Sequence, residues 1–158
     1  MKAIILAAAA GLCWGVGEVA TRSALHTKQI GPFAALAVRS TIALPLIWIA
    51  YATVAHALKA PTEPADWPSQ TSAATWTRLA LGSGITAGAA AMICFYAALS
   101  MGEISRIKPV AFAIAPATAV VLGWLALGEP MSARKAAAIA LILAGVVLLT
   151  AAPKTPAT

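Results

Sequence analysis

Charge is what this chain has least of. Asp, Glu, Lys and Arg make up 10% of its 158 residues, and five of them in all are acidic; an ordinary soluble domain carries about 25%. With 61% of the residues hydrophobic and a mean hydropathy of +0.86, disorder is excluded, and so is a soluble fold, whose surface could not hide that much apolar side chain. Cysteine is nearly absent too. Cys13 and Cys94 both sit in apolar runs and read as small packed hydrophobes, not as a disulfide or a metal site. There is no Gly-rich phosphate loop, no Ser/His/Asp set and no zinc spacing, and His26 and His56 lie far apart. No enzyme, cofactor or metal is expected. The net charge of +6 comes from eleven scattered Lys and Arg with no basic stripe, so nucleic acid is not an expected partner.

What is present is long apolar runs. Crossing about 30 Å of hydrocarbon takes roughly 20 apolar residues as a helix, and the chain offers this at about 3–21, 31–51, 79–101, 109–127 and 133–152. The fold class expected is an all-α integral membrane protein, a single bundle of five transmembrane helices in a lipid bilayer. Lys2 before Ala3–Leu12 looks like a signal peptide, but the apolar run continues past the alanines and four more spans follow, which favours a retained helix. The stretch 59–77, with Pro61, Pro64 and Pro68 among polar residues, reads as a linker without stable helix in its Pro-rich half.

Helices in lipid associate through close packing of small residues. Gly11 and Gly15, Gly84 and Gly88, and Ala136, Ala140 and Ala144 recur at helical spacing and are the packing candidates, the last set as an oligomer seam. Pro45 and Pro116 fall inside spans, where each removes a backbone donor.

Two charges lie far from any loop. A charge at mid-membrane costs about 2.5–3.5 kcal/mol on insertion scales, so Glu18 and Arg39 want an explanation. At 1.5 Å rise per residue, Glu18 lies about 10 Å from the turn after the first span and Arg39 about 12 Å from Gly31. Similar depth on adjacent helices allows an ion pair. It would make Glu18 a proton or cation site and Arg39 its partner or an anion contact. Arg22, one turn beyond Glu18, is the alternative partner.

These residues also resemble a known family. Trp14-Gly15 with Arg22, Pro32 with Arg39, and Tyr96, Ala98, Leu99, Gly102 and Ser105 are similar in order and spacing to helices of the drug/metabolite transporter superfamily in its EamA-domain form. So are Pro116, Leu127-Gly128-Glu129 and Ala144-Gly145-Val146. The chain departs from smaller members in having Ala111 and Phe112 where an Asp and a Lys often follow the proline that is here Pro109. The resemblance implies a transporter in a bacterial-type inner membrane, exporting a small organic metabolite or cation by alternating access. Trp14, Glu18, Arg39, Tyr96 and Pro116 are then the substrate or coupling candidates, and Glu129 is structural.

Most members carry two inverted five-helix repeats, and this chain resembles one. Lys and Arg number five on each side of the expected bundle: Lys2, Lys59, Arg78, Arg134 and Lys135 against Arg22, Lys28, Arg106, Lys108 and Lys154. A topology set by that bias has almost nothing to act on, which points to dual insertion and an antiparallel homodimer. The rival readings are a flippase for a lipid-linked headgroup and a non-transporting subunit that stabilises a partner.

Overall fold

The computed structural model describes residues 1–151. The expected end of the fifth span at Ala152, and Lys154 in the charge balance, lie outside the described residues. All secondary structure in the described residues is helical, and five helices are long and apolar enough to cross a membrane. The chain forms two compact units, one over Met1–Ser100 and one from Met101 onward.

In the first unit, α1 spans Lys2–His26, running past Thr21, where the apolar run ends. Polar residues do not end a helix if its ladder can continue, and the Thr21 hydroxyl donates back to the Gly17 carbonyl at 3.0 Å. The helix stops where the Thr27 hydroxyl donates to the Ala24 carbonyl at 2.7 Å and Lys28 turns left-handed at φ 57°. Pro32 then opens α2 (Pro32–Ala52) from its first position, where no N–H is needed. Pro45 inside α2 leaves the Thr41 carbonyl without its usual helical donor. The helix continues through a π turn, Thr53–Ala57, and closes at Lys59, left-handed at φ 48°.

The linker is shorter and more ordered than its composition suggests. Trp67–Gln70 form one turn, α3, with Pro68 in a position that tolerates proline. The third span starts at Ala73, several residues before the apolar run, because Ser72 Oγ accepts the Thr75 N–H at 3.2 Å and caps the first turn. That span is α4 (Ala73–Thr77), a π-helical stretch over Arg78–Ala90, and α5 (Ala91–Met101). In the π stretch bonds reach back five residues, as the Thr86 hydroxyl does to the Leu81 carbonyl at 2.7 Å. A Cβ on Gly84 or Gly88 would approach the carbonyls of Leu79 and Ser83 at 3.4 and 3.7 Å. Those glycines thus sit over the carbonyls of their own widened turn. Gly11 and Gly15 have nothing within 4 Å of a would-be Cβ.

The second unit is a hairpin of α6 (Ile104–Leu127) and α7 (Ala133–Ala151). Pro109, Phe112 and Ala113 of α6 share a shallow cleft with Ile142, Gly145 and Val146 of α7. The face of α7 toward α6 thus carries Ile142, Gly145 and Val146; Ala136, Ala140 and Ala144 are exposed. At the end of α6, Gly128 adopts φ 67° and Glu129 folds its carboxylate back over Gly123, where an added Cβ would lie 3.0 Å from Glu129 Oε2. Ser132 Oγ accepts the Lys135 N–H at 3.2 Å and caps α7.

Candidate functional site

The polar centre of the first unit is assembled by α1, α2 and α5. Glu18, 2% exposed, faces Arg39, and Glu18 Oε1 accepts from Arg39 Nη1 at 2.8 Å. The equal depth of the two residues is what allows the pair. The other hydrogen of Nη1 goes to Tyr96 Oη at 3.0 Å, and the guanidinium carbon stands 5.8 Å from the Tyr96 ring centre. Tyr96 is fully buried.

The network reaches further along α1. Tyr96 Oη lies 3.5 Å from Thr21 Oγ1, whose hydrogen is already committed to the Gly17 carbonyl. Tyr96 thus accepts from Arg39 and points its own hydrogen toward Thr21. Each donation strengthens the next in a medium of low dielectric.

Two capacities are left over. Glu18 Oε2 is buried without a hydrogen-bond partner. Arg39 has spent two of its five N–H groups, and its side chain is 35% exposed. The site therefore offers an acceptor carrying charge and up to three further donors in a setting where water is scarce. Such a pair of opposite capacities can hold a small charged or polar solute and release it when the pair re-forms.

Arg22 is not the partner of Glu18. Its Nη1 donates instead to the Leu99 carbonyl at 2.6 Å, one of the last carbonyls of α5, which have no helical donor and carry the negative end of the helix dipole. This contact ties α1 to α5 beside Tyr96. Nothing local in the sequence marks it, because the acceptor is a backbone atom far along the chain.

Of the candidates expected from the sequence, the fold brings Glu18, Arg39 and Tyr96 together. Trp14 stands one turn before Glu18 on α1 and is half exposed. Pro116 lies in α6 of the second unit and is exposed. Among the described residues no group of His, Cys, Asp and Glu could hold a metal ion.

Comparison with protein families matches residues 1–151 to one described as the EamA-like transporter family. No curated protein and no solved structure gives a significant match.

Proposed function

The chain belongs to the EamA-like transporter family, which makes it a multi-pass membrane transporter of the drug/metabolite type, and we propose that it exports a small organic metabolite or cation by alternating access through the Glu18–Arg39–Tyr96 centre. The observation that supports this reading is the buried carboxylate with one oxygen paired and one unpartnered. A charge held in mid-span at such cost is rarely idle. In this reading Glu18 takes the cationic group of the solute or a proton, Arg39 swings between Glu18 and an anionic group, and Trp14 supplies an aromatic wall. The working unit is an antiparallel homodimer in a bacterial-type inner membrane. The second copy supplies the inverted half that a single repeat lacks, and the near-equal Lys/Arg count on the two sides supports insertion in both directions.

Efflux of ethidium, a small amphiphilic cation, from loaded cells tests the transport reading. Expressing cells should clear the dye faster than controls, and Glu18→Gln at equal membrane abundance should return clearance to the control rate. Undiminished efflux in that variant removes Glu18 from the site. A separate measurement addresses the dimer: C-terminal fusions to one reporter active only in the cytoplasm and to another active only outside should both give signal. Signal from one alone rules out dual insertion.

A further inference from the structure

Beyond the end of α2, the π turn and the linker carry a second group of polar side chains, with His56 about 25 Å along the helix from Arg39. The helix from Pro32 through the π turn to Ala57 has 26 residues, close to 39 Å, which exceeds a hydrocarbon thickness of about 30 Å. Tilt or an overhang takes up the excess, and the aromatic residues mark the end that reaches the headgroups. Trp48 and Tyr51 stand edge-to-face at 5.7 Å, Tyr51 and Trp67 at 6.4 Å, and Trp67 and Trp76 lie 5.2 Å apart. The Trp67 indole N–H donates to the Tyr51 hydroxyl at 2.9 Å. Tryptophan and tyrosine gather at the headgroup level of a bilayer, and here they staple the linker to α2 at that level.

Beside this belt the linker and the π turn border an open surface cleft of about 340 Å³, formed by Ala55, His56, Lys59, Ala60 and the Glu63–Ala65 segment. That is at the small end of ligand pockets, which run about 300–1,000 Å³. The wall carries both signs of charge. Lys59 and Glu63 are in no ion pair, with each other or with any described residue. The left-handed backbone at Lys59, φ 48°, fixes where that side chain leaves the main chain, and the His56 ring is held edge-to-face against Tyr51 at 6.0 Å.

We propose that this cleft binds the headgroup of a zwitterionic aminophospholipid. The Lys59 ammonium and a His56 N–H meet the phosphodiester, Glu63 meets the lipid ammonium, and the alanines and Pro64 cover the glycerol region. The charge pattern decides between lipids. An anionic headgroup without an amine satisfies Lys59 but sets its own charge against Glu63, whereas a phosphoethanolamine group engages both. The belt decides between sources, because a cleft at headgroup depth meets lipid at far higher local concentration than any soluble phosphoamine.

The test is native mass spectrometry of the delipidated full-length protein in detergent, titrated with phosphatidylethanolamine or phosphatidylglycerol of identical acyl chains. The wild type should bind phosphatidylethanolamine more tightly. Lys59→Gln should weaken both lipids about tenfold, the worth of one charge-assisted hydrogen bond. Glu63→Gln should weaken phosphatidylethanolamine alone and abolish the preference. Both positions are exposed, so neither change burdens folding. Equal binding of the two lipids by the wild type overturns the proposal. So does indifference to Lys59→Gln, or competition by free phosphoethanolamine at lipid-like concentrations, which would identify a soluble ligand.

Discussion

Replacing Arg39 by glutamine is expected to destabilise the protein by about 3 kcal/mol, well beyond the effect of Glu18→Gln. The asymmetry follows from burial. Glu18 is 2% exposed and Arg39 Nη1 is its hydrogen-bond donor. Without the guanidinium a carboxylate is left in the interior with no counter-charge, the situation that makes breaking a buried pair cost about 3–5 kcal/mol. The lower end applies because the Arg39 side chain keeps 35% of its surface exposed, so the pair is sealed on the Glu18 side only. Glu18→Gln is milder. The amide oxygen still accepts from Nη1, Tyr96 Oη still takes the second hydrogen, and the exposed part of the guanidinium keeps its surroundings, so about 1 kcal/mol is lost. The double variant should be more stable than Arg39→Gln alone, since it removes the stranded charge. Tryptophan fluorescence during denaturation in mixed detergent micelles reads all three. If Glu18→Gln proves the more damaging, Arg39 is not what holds the carboxylate. This ordering is also why Glu18→Gln is the variant for the transport assay: its small cost in stability lets it be compared with the wild type at equal membrane abundance.

How much of this was legible in the sequence differs from residue to residue. The five spans follow from apolar length alone, and the Glu18–Arg39 pair from counting 1.5 Å steps from a shared turn. Those quantities are local. The partner of Arg22 is not: it is the Leu99 carbonyl, and a backbone acceptor at a helix end has no residue type to betray it. Spacing on α1 offers Glu18, one turn away, only as an alternative partner for Arg22, and Glu18 is taken by Arg39 on α2. Helix boundaries moved for a similar reason. The apolar run ends at Thr21, but hydrogen bonding carries α1 to His26, and the Ser72 cap starts the third span at Ala73. The π-helical stretch Arg78–Ala90 was invisible because α and π turns draw on the same composition and differ only in which carbonyl each N–H selects. The order in the linker hangs on Trp67 and Tyr51, a pairing between two segments that composition treats as unrelated.

Tyr96 is where the largest loss from a single truncation is expected. Tyr96→Ala should cost about 3 kcal/mol, within the range for emptying a buried aromatic site. In a membrane the solvent-transfer part of that cost shrinks, since lipid is as apolar as the interior, but the cavity and the forfeited dispersion contacts remain. A fully buried ring also stands 5.8 Å from the Arg39 guanidinium, adding about 0.5–1 kcal/mol of cation–π attraction. Tyr96→Phe keeps ring and shape and removes only the oxygen that accepts from Arg39 at 3.0 Å and faces Thr21. It should cost about 1 kcal/mol, because the freed N–H belongs to a partly exposed guanidinium. The two variants, unfolded side by side in the same micelles, separate packing from hydrogen bonding. Equal losses would mean that the hydroxyl, not the ring, holds α5 against α1 and α2. Were both silent, α5 would not pack on the Glu18–Arg39 pair at all, and the three-helix centre would have to be given up. With the expected ordering, Tyr96 is both the floor on which the ion pair rests and the second acceptor that keeps Nη1 aimed at Glu18.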